Sequence, residues 1–222
     1  MRYLLPALLV CAFALPASAM AAPGCQPYDY SYAGYAEQML VHGIAATVSV
    51  TSTPTVANGH VAAWVGIGGE GLGPNGADEW LQVGVGQNEG GALRLYSEAV
   101  IPNGSNNAKT IELGEVKIGE RHRVGMQELP GRPGWWQSML DGRPVSPAYH
   151  LPDLDKNDPE AIGESYVSDM AACNRFAFRL GNVKVATVPG GGWQPFAPDI
   201  PFNNRGFNST WLSSSLSLLL NR

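Results

Sequence analysis

The sequence has few charged residues and no concentration of basic ones. Charged side chains make up 15% of the 222 residues, and the formal net charge is −5. Proteins that bind nucleic acid or anionic membranes carry a basic patch that attracts the phosphates. We therefore expect neither nucleic acid nor an anionic membrane surface as a partner.

Cysteine and histidine are also scarce, with three and four residues respectively. The chain has no CxxC pair, and His42, His60, His122 and His150 stand at no spacing typical of metal ligands. No serine lies in a nucleophile elbow. The sequence thus predicts no metal and no cofactor, and we interpret the histidines as surface or hydrogen-bonded residues.

Long hydrophobic runs are absent apart from one near the N-terminus. A single arginine, Arg2, precedes an apolar run over residues 3–15, and the small residues Ala17-Ser18-Ala19 follow it. The run is too short to span a bilayer comfortably, and its small-residue end suits a signal peptidase. We predict a signal peptide over residues 1–19, a secreted, periplasmic or extracellular protein, and no stable membrane insertion.

Removal of this segment leaves two of the three cysteines. Cys11 leaves with the signal peptide, so only Cys25 and Cys173 enter an oxidising compartment. Two cysteines in that environment favour a single disulfide bond between them. Lipidation at Cys25, which follows Gly24, is an alternative that the sequence leaves open.

Helical periodicity is almost absent, whereas alternation with a period of two recurs along the chain. In HGIAATVSV, for example, Ile44, Ala46, Val48 and Val50 fall on one face. At least eight such runs are separated by turn clusters such as GEGLGPNGAD and PNGSNN. The pattern predicts an all-β fold, an antiparallel β-sandwich, over residues 20–188.

Beyond residue 188 the alternation fades. Residues 189–222 are rich in Pro, Gly and Asn and end in LSSSLSLLLNR. The leucine-rich end is short and interrupted by serines, so it does not resemble a membrane span. We interpret this segment as a loosely attached C-terminal tail that at most covers a sheet edge.

The same alternation assigns faces to several polar and aromatic residues. Leu81, Val83 and Val85 form an apolar face in EWLQVGVGQ, which leaves Gln82 and Trp80 on the opposite face. By the same reasoning, three further residues of two other segments lie on a face away from the core: Trp64, Glu164 and Tyr166. If these strands are neighbours, the five side chains form a cleft with aromatic walls.

A carboxylate and a carboxamide in such a cleft suffice for amide hydrolysis. Glu164 can take a proton from water, and the N–H of Gln82 can bind the oxyanion on the attacked carbonyl. Asp78, Glu79 and Glu98 are alternative partners for Glu164, as the carboxylate pair of a glycosidase. We favour a solvated surface position for each of these three.

A family resemblance is carried by the same segments. AAWVGIGG followed by WLQVGV resembles the AWVGIDG…LQTGV region of the glutamic peptidases, or eqolisins. GESYVSD…FAFRLGNVKV is similar to their AEWIVED…FADFGSVTF region, while YAGYA and YSEAVIP are similar to their NWAG and WYEWYP segments. The order of these segments is kept over most of the mature chain.

The resemblance implies a concanavalin-like jelly roll with its active site on the concave face of one sheet. It places Gln82 and Glu164 at the catalytic positions. The expected substrate-binding residues around them are Trp64, Trp80, Tyr166 and Glu98.

Two functions follow as hypotheses. The first is an acid-active glutamic endopeptidase, a monomer that acts on protein or peptide substrates. The second is a non-catalytic concanavalin-like module that binds glycan or a cell-surface partner. The peptidase requires Gln82 and Glu164 side chains within about 3 to 5 Å of each other, where they can share one water.

Overall fold

The computed structural model describes residues 29–102, 108–168, 173–198, 200–203, 208–212 and 215–220. The predicted signal peptide and Cys25 lie outside these ranges. Export and the Cys25–Cys173 disulfide therefore stay predictions.

Two antiparallel sheets stack to form a sandwich. The first, called the front sheet here, has the strand order β14-β1-β11-β3-β4-β5-β6 within the described residues. Its strands, in chain order, are β1 (Asp29–Ala36), β3 (His60–Gly69), β4 (Glu79–Asn88), β5 (Arg94–Val100), β6 (Lys109–Glu115), β11 (Pro159–Val167) and β14 (Ile200–Asn203).

The second, or back, sheet has the order β10-β8-β7-β2-β12-β16-β15, with β9 paired to β8 and β13 paired to β12. Its strands are β2 (Gly43–Thr55), β7 (Arg121–Glu128), β8 (Trp135–Leu140), β9 (Arg143–Pro144), β10 (Tyr149–His150), β12 (Arg175–Val188), β13 (Gly191–Pro195), β15 (Asn208–Leu212) and β16 (Ser215–Leu220).

The core lies between the sheets and is built by the alternating residues of each strand. Leu81 and Val83 of β4 are fully buried there, in one cluster with Val48 of β2 and Phe178 of β12. Each such side chain stabilises the fold by about 1.5–3 kcal/mol on burial. The antiparallel β-sandwich predicted from the period-two pattern is confirmed.

Helical structure is minimal in the described part of the chain. It consists of two 3₁₀ turns, Pro74–Gly76 and Leu154–Lys156. No helix among the described residues is long and apolar enough to cross a membrane.

The C-terminal segment differs from the expected loose tail, because its described residues add strands to both sheets. β14 pairs with β1 in the front sheet, and β16 pairs with β12 in the back sheet. The alternation of Leu216, Ser217 and Leu218 in the sequence suits a strand, and Leu216 and Leu218 pair in register with Leu180 and Phe178 of β12. The serines between the leucines, and the Pro and Gly residues around the earlier runs, concealed this signal.

Candidate active site

The outer face of the front sheet, turned away from the core, carries the predicted site residues. Trp64 packs there with Ala62 and Ile162 in an apolar cluster separate from the main core, and Tyr32 and Tyr96 pack against it. The neighbours of Trp64 in sequence, Ala63 and Val65, belong to the main core instead. We call this outer surface the cleft face.

Strand register sets the cleft-face residues in rows across β11, β3, β4 and β5. One row contains Glu164, Ala62, Gly86 and Arg94. The next contains Ile162, Trp64, Gly84 and Tyr96. The third contains Glu160, Gly66, Gln82 and Glu98. Glu164 and Gln82 are therefore two strands and two rows apart, with the Trp64 row between them.

Both carboxylate oxygens of Glu164 are held by side chains of β3. His60 Nε2 lies 2.6 Å from Oε1, and Trp64 Nε1 donates a hydrogen bond of 3.0 Å to Oε2. Glu164 is only 7% exposed. A buried carboxylate requires such partners, because unpaired burial of its charge is costly. Its orientation toward the cleft is thereby fixed.

Gln82 of β4 is held by side chains of the neighbouring strand β5. Its Nε2 donates to Tyr96 Oη at 3.4 Å and to Glu98 Oε1 at 3.3 Å. Glu98 also accepts hydrogen bonds from Trp80 Nε1 at 3.3 Å and from Thr110 Oγ1 at 3.0 Å. The carboxylate of Glu98 thus orients the amide nitrogen of Gln82.

No hydrogen bond joins Gln82 and Glu164, both of which are described. Trp64, which binds Glu164, and Tyr96, which binds Gln82, occupy the row between them and pack in one cluster. Gly84 separates Trp64 from Tyr96 in the register. The predicted approach of the two catalytic side chains to about 3 to 5 Å stays a prediction.

Two adjoining cavities open on this face, with volumes of about 270 and 720 Å³. Their walls have four residues in common: Tyr30, Gln82, Glu98 and Glu164. Binding pockets for ligands of ordinary size occupy about 300–1,000 Å³. The larger cavity has room for a peptide or a short glycan beside both Gln82 and Glu164.

Burial and negative charge keep the hydroxyl groups of the cleft protonated. Burial raises the pKa of Tyr96 well above its ordinary value, and the charges of Glu164 and Glu98 raise it further. The pKa of Tyr32 is also raised, first by burial and then by Glu164. Both side chains therefore remain neutral hydrogen-bond donors at acidic and neutral pH.

Glu160 is a further carboxyl group on the cleft face. It lines the larger cavity in the same row as Gln82, with Gly66 between them. Burial raises its pKa to about 7, with a smaller contribution from Asp158. This group is therefore largely uncharged at acidic pH.

The other predicted site residues are placed as follows. Trp80 lines the larger cavity, while Tyr166 lies at the edge of the cleft with its ring centroid 5.7 Å from that of His60 and 4.8 Å from that of Tyr30. Of the alternative carboxylates, Glu98 shares the cleft face with Glu164. Glu79 is fully buried on the core side, and Asp78 accepts a hydrogen bond from the backbone N–H of Gly71.

Two residues that contact the expected dyad were missed from the sequence. His60 contacts Glu164, and Tyr96 contacts Gln82. His60 has the same parity as Trp64, and Tyr96 the same parity as Glu98, so alternation alone places both on the cleft face. Their partners depend on the strand order, which alternation does not contain.

A metal ion has no evident site in the described part of the chain. No group of three or more His, Cys, Asp or Glu residues there is arranged to hold one.

Comparison with known proteins shows similarity in fold. No known family model matches the chain, and no curated protein matches its sequence. The crystal structure of Scytalido-glutamic peptidase with a peptide based transition state analog is similar, with a TM-score of 0.57 and 16% identity over 87% of this chain and 98% of that chain. SCP-B, a member of the Eqolisin family of peptidases in a complex with the tripeptide Ala-Ile-His, is similar with a TM-score of 0.52 and 15% identity over the same shares. The predicted resemblance to the glutamic peptidases is confirmed at the level of the fold.

Proposed function

We propose that this protein is a secreted, acid-active glutamic endopeptidase in which Glu164 is the general base and Gln82 binds the oxyanion. The observation that carries the proposal is that Glu164 and Gln82 line the same two cavities. They do so on a fold that is similar to those of two glutamic peptidases.

The chemistry requires only these two groups and a water molecule. Glu164 takes a proton from the water molecule while the water oxygen attacks the carbonyl carbon of the peptide bond. The π electrons of the carbonyl group move onto the carbonyl oxygen. The N–H of Gln82 donates a hydrogen bond to the resulting oxyanion. When the C–N bond breaks, the protonated Glu164 returns its proton to the amine nitrogen, which leaves a carboxylic acid and an amine.

The contacts of the two residues support these roles. His60 and Trp64 hold the carboxylate of Glu164, while Glu98 directs the amide nitrogen of Gln82. Preorganised groups of this kind lower the barrier because they need not reorient when charge develops. Activity at acidic pH is what the resemblance to the glutamic peptidases implies, and a profile of kcat/KM against pH tests it.

The proposal is tested by replacing the base with its uncharged isostere. Glu164→Gln should lower kcat/KM for casein or a casein-derived peptide at pH 3–6 by about 10²–10⁴-fold, because the general base is lost. Circular dichroism should show an unchanged fold. Mass spectrometry of the products provides the cleavage positions.

Glu115→Gln is the matched control, because Glu115 is an exposed carboxylate of the same sheet that lines neither cavity. Its activity should equal that of the wild type. A wild-type protein that cleaves no peptide between pH 2 and 7, or a fully active Glu164→Gln variant, would contradict the proposal.

A glycan-binding module is the competing function, and the aromatic walls of the cleft favour it. Trp64, Trp80 and Tyr32 line the larger cavity, and aromatic faces of this kind also stack on sugar rings. Binding on a glycan array without any peptide cleavage would support this function instead.

Secretion is part of the same proposal and rests on the signal-peptide pattern of residues 1–19. The exported protein should begin at Met20, which N-terminal sequencing of the secreted fraction will determine.

A further inference from the structure

We propose that the hydroxyl group of Tyr96 is a second donor to the oxyanion, beside the amide of Gln82. This inference rests on the proposed peptidase function and concerns the same cleft. Oxyanions in acyl-transfer sites are commonly bound by more than one donor. Gln82 alone would leave the developing charge with a single neutral hydrogen bond.

The distance between the two groups permits joint binding. Gln82 Nε2 and Tyr96 Oη are 3.4 Å apart, and both line the smaller cavity together with Glu164. Donors that bind an oxyanion stand about 2.7–3.1 Å from it. Two donors 3.4 Å apart can both reach one oxygen atom at that range.

The hydrogen bonds of the free protein leave the required protons available. The amide of Gln82 has two N–H donors, one directed to Glu98 and the other to Tyr96 Oη. Because Tyr96 Oη accepts this bond, its own proton is left for another acceptor. An anionic oxygen is a stronger acceptor than a phenol, so substrate binding should redirect the Gln82 N–H from Tyr96 to the oxyanion.

The Tyr96 hydroxyl also stays protonated at the acidic pH at which we expect the enzyme to act. Its pKa is raised well above the ordinary value by burial, and then by the charges of Glu164 and Glu98. It therefore donates a hydrogen bond without transferring its proton. The burial that raises this pKa also strengthens the hydrogen bond from the Tyr96 hydroxyl to an oxyanion, because the surroundings are less polar than water.

Packing holds the ring in place. Tyr96 is half-buried and packs against the cluster of Trp64, Ala62 and Ile162, with Gly84 between it and Trp64 in the register. A fixed ring gives a donor that needs no reorientation during the reaction.

Tyr96→Phe tests the inference, because it removes the hydroxyl and keeps the packed ring. Loss of one oxyanion donor typically lowers kcat by about 10²–10³-fold, and we expect an effect near the lower end. KM should change by less than about threefold, because the oxyanion forms only after the substrate has bound and reacted with water. The shape of the pH profile should not change.

A peptide whose scissile amide is replaced by a phosphinate gives an independent readout. Its affinity should fall in Tyr96→Phe by about the same factor as kcat/KM, whereas the affinity of the product peptide stays constant. Tyr149→Phe is the control, since Tyr149 lies in the back sheet and lines neither cavity.

The possible results separate this inference from the proposed function. If the wild type cleaves peptide, Glu164→Gln does not, and Tyr96→Phe keeps kcat within threefold, the Tyr96 inference is overturned and the peptidase stands. Equal losses of affinity for product peptide and phosphinate would assign Tyr96 a packing role and also overturn it. An inactive wild type would overturn both.

Discussion

Glu164 differs from an ordinary surface carboxylate because both of its oxygens have partners. Trp64 Nε1 donates to Oε2 at 3.0 Å, and His60 Nε2 lies 2.6 Å from Oε1. The indole N–H can only donate, whereas the imidazole nitrogen donates when it carries a proton. A base held at both oxygens presents a fixed lone pair to a water in the cleft.

His60 should therefore act as a positioning residue for Glu164. His60→Leu removes the contact, and a hydrogen bond to a charged group contributes about 1.5–3 kcal/mol, so we expect kcat to fall at least tenfold. KM should change little, because His60 acts on the base and not on the substrate.

His60→Gln is the discriminating variant, since its amide can still donate a hydrogen bond to Glu164. We expect it to recover most of the lost kcat in steady-state assays of both variants with one peptide. A leucine variant with wild-type kcat, or a glutamine variant no better than leucine, would argue against positioning by this contact.

At the scale of the elements, β3 connects the two halves of the site. It lies between β11, which carries Glu164, and β4, which carries Gln82. Its cleft-face residues include Trp64, which reaches Glu164, and Gly66, where an added Cβ would lie 2.7 Å from the indole ring. Gly66 therefore provides part of the space in which the Trp64 ring lies.

Gly84 of β4 has no room for a side chain. A Cβ there would lie 2.2 Å from the carbonyl oxygen of Ala63 and 2.6 Å from Cβ of Trp64. The clash involves the backbone, so no side-chain rotation relieves it. Gly84→Ala should cost about 1–3 kcal/mol in the free energy of unfolding and reduce activity by displacing Trp64 from Glu164.

Urea unfolding and peptide cleavage measure the two effects. Gly191→Ala is the control, because a Cβ at Gly191 meets no atom within 4 Å. This variant should stay within about 0.5 kcal/mol of the wild type. A Gly84→Ala protein as stable and active as the control would contradict the proposed packing.

The same strands show how far the sequence could be interpreted. Alternation placed Gln82, Trp64 and Glu164 on the cleft face, because each strand has an apolar side of its own. It could not pair His60 with Glu164 or Tyr96 with Gln82, because those contacts depend on the β11-β3-β4-β5 order and on its register. The strands after residue 189 were missed, because the first of them are short runs among Pro, Gly and Asn residues and serines interrupt the leucines of β16.

At the scale of the whole molecule, buried carboxyl groups adapt the fold to acid. Glu79 is fully buried, and its Oε1 accepts a hydrogen bond from the Asp153 N–H. Burial raises the pKa of Glu79 to about 7, and that of Glu160 is raised to about 7 for the same reason. Below the unfolded value of about 4.3, both groups are protonated in the folded and unfolded states.

The contribution of neutral Glu79 and Glu160 to the free energy of unfolding is therefore complete at acidic pH. It is lost as the pH rises from about 4.3 through 7, because these groups release their protons at lower pH in the unfolded chain than in the folded protein. Glu79→Gln keeps an acceptor for the Asp153 N–H but cannot ionise. Relative to wild type, the variant should gain stability steadily over this range. Thermal unfolding of both proteins from pH 4 to 8 measures the difference, and a constant difference would show that Glu79 does not titrate in this way.

The catalytic roles of Glu164 and Gln82 are tested most directly by a crystal structure of the protein with the phosphinate peptide bound. We expect the phosphinate group in the cleft between the two side chains. One of its oxygens should accept hydrogen bonds from Gln82 Nε2 and Tyr96 Oη, and the other should face the carboxylate of Glu164. A phosphinate group bound out of reach of either Glu164 or Gln82 would contradict the proposed mechanism.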